Sequence, residues 1–360
     1  MKIKSRTIER VHNAAMISIL YVATGLYSCI ANAQSLTAAM TSDVMHPVSF
    51  AANANKKINH HVRANKDAKA TPLHTSINGP YAELKPAVAP GGNRIYFSRA
   101  DHPDNSFGTI DFEDIWYADH DTATGTWLDP VRMSGHLNNA GPNFIHSVSQ
   151  TGDTIILGNE YLKNGKMRDG LSYSVNVNGQ WSLPKTIKVQ NHYNMDDQAN
   201  AYVSLKNGII IMAISRVESV GDRDLYVSFW DGEKATEPIN MGTTVNTEME
   251  ESSPYLAADN KTLYFASKGH NGFGGLDIFV TRRLDDTWTN WSEPENLGPA
   301  VNGAMDEEFF NITHCGKRAV FSRQVTVHNF DLFTIHMEDL FGSSEPSQTK
   351  SSDTAVAMFR

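Results

Sequence analysis

Five copies of one short pattern, spaced almost evenly along the chain, constrain the fold more than any other feature. The segment "PYLAADNKTLYFAS" at residues 254–267 recurs as "PAVAPGGNRIYFSR" at 86–99, "HSVSQTGDTIILGN" at 146–159, "AYVSLKNGIIIMAI" at 201–214 and "FNITHCGKRAVFSR" at 310–323. The apolar residue before each turn, Val88, Val148, Val203, Leu256 and Ile312, recurs at intervals of 60, 55, 53 and 56 residues. A unit of this period is one supersecondary element that cannot bury its own apolar face and must stack on copies of itself.

Each unit divides further. After the first pattern comes an alternating run that opens at Asp114, Gly170, Asp224, Asp277 and Asp331, and after that, in four units, a segment carrying Pro130, Pro184, Pro238 or Pro294. Proline removes a ladder donor and is confined to sheet edges, so these segments belong outermost. Four short strands per unit, punctuated by turn residues and free of helical periodicity, predict an all-β β-propeller of five four-stranded blades. The fifth unit lacks a proline-bearing strand, and Pro72 to Ser76 is expected to supply it, closing the ring by an N-terminal strand. A six-bladed ring is the alternative, and residues 34–70 hold too few strand signals for a further unit.

The boundaries follow. Lys2, Lys4, Arg6 and Arg10 precede an uncharged apolar stretch at 14–30 and an Ala31-Asn32-Ala33 exit, the pattern of a signal peptide (1–33) cleaved after Ala33. Lipidation at Cys29 is the alternative, and the only membrane attachment expected. Residues 34–70 read as a flexible spacer, 71–340 as the propeller and 341–360 as a disordered polar tail. The formal net charge of −9 argues against nucleic acid as a partner.

Gly269, Gly272, Gly274 and Gly275 suggest a phosphate-cradling loop, but such a loop must open a helix, and "LDIFV" after them is a strand pattern. The other units carry variable connections at this point, so the glycines are expected to serve a hairpin by adopting positive φ. No nucleotide is expected.

A propeller gathers equivalent positions around its central channel. Five residues before each apolar anchor stand Glu83, Asn143, Gln198, Glu251 and Glu307, and one residue earlier Glu250 and Asp306 add carboxylates. With His146, which opens an inner strand, these are the candidate ligand-binding residues. Three uses are open: hydrogen-bond acceptors for turn amides, an oxygen site for a sugar or for calcium with Glu250 and Asp306 as metal candidates, or catalysis by paired carboxylates among Glu83, Glu251 and Glu307. No other cofactor is expected.

"ESSPYLAADNKTLYFAS", "GGLDIFVTRR" and "WSEPENLGPAVNGAMDEE" resemble the WD40-like, Pro-Asp-type repeats of TolB-like propellers in Gram-negative cell envelopes. The second unit departs from them, with Gly170 at the aspartate position. The resemblance implies a periplasmic or secreted, non-catalytic binding module for a protein or an envelope polysaccharide. The alternative is a carbohydrate-active enzyme, a glycoside hydrolase or lyase, using the channel-mouth carboxylates.

Overall fold

The computed structural model describes residues 64–342, apart from 66 and 134. The expected signal peptide, its Cys29 and Ala33, most of the spacer and the polar tail after residue 342 lie outside the described residues.

Five blades form from the five units. Their inner strands are Glu83–Val88, Ile145–Val148, Asn200–Ser204, Glu251–Leu256 and Glu307–Ile312. The second strands are Arg94–Ala100, Thr154–Tyr161, Ile209–Ile214, Thr262–Ser267 and Arg318–Thr326, and the third are Glu113–Asp121, Met167–Val177, Asp224–Phe229, Asp277–Arg282 and Asn329–His336. In blades 1 to 4 the outermost pieces, Val131–Arg132, Lys185–Val189, Ile239–Asn240 and Glu295–Asn296, each begin at the residue after the edge proline. Blade 5 is completed by Thr71–Pro72, antiparallel to its third strand with Thr71 opposite Thr334 and Pro72 opposite Phe333. Leu73 adds one more bond to Leu332 before the chain turns, so the closing strand lies slightly upstream of the predicted stretch. The five-bladed ring is closed as the repeat predicts.

The central strands are apolar on both faces because each blade is sandwiched. In blade 4, Leu263 and Phe265 face Ile211, Ala213 and Leu225 of blade 3, whereas Tyr264 and Ala266 face Phe310, Ala319 and Phe321 of blade 5. A two-residue period therefore serves two interfaces, and the run reads as uninterrupted apolar sequence. At the end of the ring, Ala68 and Leu340 of the short helix Met337–Phe341 pack on the blade 5 side of the core.

The glycine-rich connection of blade 4 corrects one expectation. None of Gly269, Gly272, Gly274 and Gly275 has positive φ. They are glycines for want of space: a Cβ on Gly274 would meet the Ala304 carbonyl oxygen at 2.4 Å, and one on Gly275 the Asp306 carboxylate at 2.0 Å. The loop lies flat on the approach to blade 5, and only bare backbone fits there.

Candidate functional site

The carboxylates expected at the channel mouth are used by the seams between blades. Glu83 Oε2 accepts the Gly79 amide at 3.1 Å, Asn143 Oδ1 the Asn139 amide at 2.6 Å, Glu251 Oε2 the Thr247 amide at 2.8 Å and Glu307 Oε2 the Gly303 amide at 2.7 Å. All four side chains are buried, and each caps the turn that delivers the chain into its inner strand. Their remaining oxygens are also engaged. Glu83 pairs with Arg99 at 3.0 Å and Glu307 with Arg323 at 3.2 Å, while Glu251 Oε1 accepts Thr247 Oγ1 and Ser267 Oγ, both at 2.7 Å. Burial pushes all three glutamates up to about 7. Gln198 does not join them: its side chain is exposed.

A second repeated contact, one the sequence reading did not find, completes the seam. Asn78, Asn138, Asn246 and Asn302 stand five residues before the capping residue. Each uses its side-chain amide to accept the N–H and donate to the C=O of one third-strand residue, Leu332, Ile115, Leu225 and Ile278 respectively. The signal was present as Asn-x4-Glu or Asn-x4-Asn before four anchors. The seam entering blade 3 lacks both parts, and there Arg216, Asn191 and Tyr193 pack together instead, while the outer strand Lys185–Val189 of blade 2 pairs in parallel with Lys234–Ala235 of blade 3.

What reaches the channel is set by bulges. The inner strands of blades 1, 4 and 5 each gain one residue against their partners, and Lys85, Ser253 and Phe309 there adopt φ of 53°, 51° and 57°. Non-glycine residues in this region are strained, and bulges of this kind re-aim side chains. All three line the central pocket with His146, Pro254 and Asn311. The pocket holds about 10 Å³, roughly one water molecule.

At the channel, Lys85 pairs with Glu113 at 2.6 Å and lies over the Phe144 ring. His146 Nδ1 accepts the Ala201 amide at 3.2 Å, which assigns its proton to Nε2 in the neutral ring. Burial, assisted by the Lys85 charge, lowers it to about 3, so it carries no charge at neutral pH.

Glu308 is the carboxyl left without a turn to cap. Its Oε1 accepts Ser252 Oγ at 3.2 Å and Ser253 Oγ at 3.1 Å from blade 4. Ser252 in turn accepts from Asn200 of blade 3 at 2.9 Å. Burial raises the Glu308 carboxyl, Lys85 opposes the rise, and Glu250 and Asp306 add to it. The two metal candidates therefore sit within electrostatic reach of Glu308. Glu250 is held by Arg223 and Lys268, each at 2.7 Å, and Asp306 Oδ1 accepts the Leu276 amide at 2.8 Å. Among the described residues no group of three or more His, Cys, Asp or Glu side chains is disposed to hold a metal ion.

No protein-family model and no curated protein matches the chain. Similar solved structures include a complex of BT0996 described with RGII, 9% identical over 79% of this chain and 95% of its counterpart, with a TM-score of 0.53. An α-L-arabinofuranosidase from Lactobacillus brevis is 11% identical over 73% of this chain and 94% of its own, with a TM-score of 0.45. A GH43 β-xylosidase/α-arabinofuranosidase from a compost metagenome, in complex with xylotriose, is 9% identical over 75% and 94%, with a TM-score of 0.46. At such identities the likeness is one of fold. The expected kinship with WD40-like, TolB-like repeats is corrected by these findings, since no family model matches and the similar solved structures include glycoside hydrolases instead. The reading of a non-catalytic module for a protein or envelope polymer is corrected with it.

Proposed function

We propose that the chain is a carbohydrate-active hydrolase that works at the mouth of its channel, with Glu308 as proton donor and Asp306 as the partner carboxylate. One observation carries this reading: Glu308 is a recessed carboxyl held by two serine hydroxyls, raised by its surroundings and free of any capping duty. A carboxyl raised above its ordinary value is suited to protonating a glycosidic oxygen.

Asp306 extends the same strand, its carbonyl accepting the Gln324 amide at 2.8 Å. Alternate residues of a strand share a face at about 6.6 Å between Cα atoms. A second carboxylate on that face is the group that activates water in an inverting hydrolase. The glycan lies across the mouth, where Phe107, Phe112 and Phe273 stand exposed in the surrounding connections. The glycoside hydrolase names borne by the solved propellers agree with this assignment. The basic and apolar leader supports work outside the cytoplasm, where polysaccharides are met.

The test is release of reducing sugar from a panel of aryl glycosides and polysaccharides, with the anomer of the product read by NMR. Glu308→Gln and Asp306→Asn are each expected to lower turnover by about 10²- to 10⁴-fold with the fold retained. A wild-type chain that cleaves nothing on the panel, or a Glu308→Gln chain with wild-type turnover, overturns the reading.

A further inference from the structure

The connection between the second and third strands of blade 1, residues 101–112, is the longest of its kind in the ring. Its turn at Gly108–Ile110 brings Asp111 back beside Asp114, the aspartate that opens the third strand. Asp111 is 2% exposed and Asp114 fully buried. One oxygen of each is well supplied. Asp111 Oδ2 accepts the Phe107 amide at 3.1 Å, and Asp114 Oδ2 accepts Ser106 N at 2.7 Å, Ser106 Oγ at 2.9 Å and Arg132 at 3.3 Å. The other oxygen of each, Oδ1, is buried and takes no hydrogen bond.

Two neighbouring carboxylates, each with one oxygen buried bare, are costly, because that oxygen has lost water and the bonds on the other oxygen must also offset their mutual repulsion. Burial, followed by the charge of Asp114, raises the Asp111 carboxyl accordingly. Asp277 and Asp331, the equivalents of Asp114 in blades 4 and 5, also leave Oδ1 bare. Their connections, residues 268–276 and 327–328, contain no second acid, and in blade 3 the Asp224 Oδ1 accepts the Gly221 amide, so the bare pair is particular to blade 1.

We propose that this connection is a divalent-cation site of calcium type, in which Asp111 and Asp114 offer their Oδ1 atoms and backbone carbonyls and water complete an all-oxygen shell. Calcium accepts such irregular oxygen sets, whereas magnesium demands a stricter octahedron. The site is separate from Glu250 and Asp306 and independent of the hydrolase reading. Its bound ion fixes the connection that presents Phe107, Ile110 and Phe112, all exposed.

Terbium titration of the EDTA-treated full chain tests it, because Trp116, whose Nε1 donates to Asn105 of the same connection at 3.0 Å, is placed to sensitise the ion. Saturable luminescence that calcium displaces, and a melting temperature that calcium raises, are expected. Asp111→Asn keeps an acceptor for Phe107 and should weaken binding about tenfold or more, whereas Glu250→Gln should bind as the parent does. Absence of luminescence together with a melting temperature unmoved by calcium up to about 10 mM overturns the proposal, as does undiminished binding by Asp111→Asn. Should Asp111→Asn fail to fold, the calcium dependence of the parent chain's melting decides.

Discussion

Asn302 closes a two-bond contact on Ile278: its Oδ1 accepts the Ile278 amide at 2.8 Å and its Nδ2 donates to the Ile278 carbonyl at 2.9 Å. Both partners are buried, so the side chain imitates a strand at a place where none can lie. Substitution by alanine strands the Ile278 N–H without water and leaves its carbonyl to the Leu297 amide alone. Asn302→Ala is expected to cost about 1 to 3 kcal/mol in urea unfolding, with a smaller loss for Asn302→Asp, which keeps the acceptor. Equal stability of Asn302→Ala and the parent would remove this contact from the forces that hold the seam.

Glu251 makes the seam sensitive to pH. Unlike Glu83 and Glu307 it has no arginine partner, only hydroxyl and amide donors, and burial pushes it up to about 7. A raised carboxyl binds its proton more tightly when folded. Its contribution to stability is therefore complete below the unfolded value of about 4.3 and is lost as pH rises through about 7. Glu251→Gln does not titrate, and its amide oxygen keeps the Thr247 N–H while its NH2 faces the Thr247 and Ser267 hydroxyls, which can turn to accept. Melting curves between pH 5 and about 8 should show a loss of stability in the parent that is shallower in this variant, and parallel curves would refute the assignment.

The ring was legible in the sequence because a propeller writes its architecture five times. The anchors Val88 to Ile312, the aspartates and the edge prolines each recur with the blade, and closure followed from the one unit that lacked an outer strand. The site was less legible because repetition does not say which way a side chain points. Glu251 and Glu307 carry the stronger repeat signal, yet that signal belongs to turn capping, a duty every blade shares. Glu308 shows no repetition, its equivalents being Leu84, Phe144, Ala199 and Ser252, and it stands immediately before a bulge, bonded to Ser252 and Ser253 of blade 4. The bulge residues Lys85, Ser253 and Phe309 have no common chemistry, so no pattern announces their left-handed backbone. Aspartates such as Asp224 were visible as repeats but not as what they are, acceptors for the Val220 and Gly221 amides that fold the connection before them.

Gly274 tests the steric account of the glycine-rich connection. An alanine there places Cβ within 2.4 Å of the Ala304 carbonyl and carbon, and backbone cannot swing aside as a long side chain can. Gly274→Ala should cost about 1 to 3 kcal/mol and displace the segment leading to Asp306. By contrast, Gly316 has positive φ and open space around its missing Cβ, so Gly316→Ala should cost about 1 kcal/mol and leave the channel mouth as it is. Calorimetric melting of the two variants distinguishes clash from backbone preference, and a Gly274→Ala chain as stable as the parent would discard the clash.

Closure is the remaining relationship open to direct attack. Thr71 and Pro72 supply the only outer strand of blade 5 among the described residues, and Leu73, buried among Ile77, Ile95, Phe97 and Leu332, ties that strand to the core shared by blades 1 and 5. A chain beginning at residue 64 retains all of this. One beginning at residue 75 loses the pairing with Thr334 and Phe333, uncovers the edge of Asn329–His336 and empties the Leu73 site. Loss of a buried leucine alone costs about 2 to 5 kcal/mol, and an uncovered edge strand invites association between chains. The shorter chain is therefore expected to melt well below the longer one and to elute from size exclusion as larger species. Coincident melting curves for the two truncations would mean that the ring holds without its N-terminal strand.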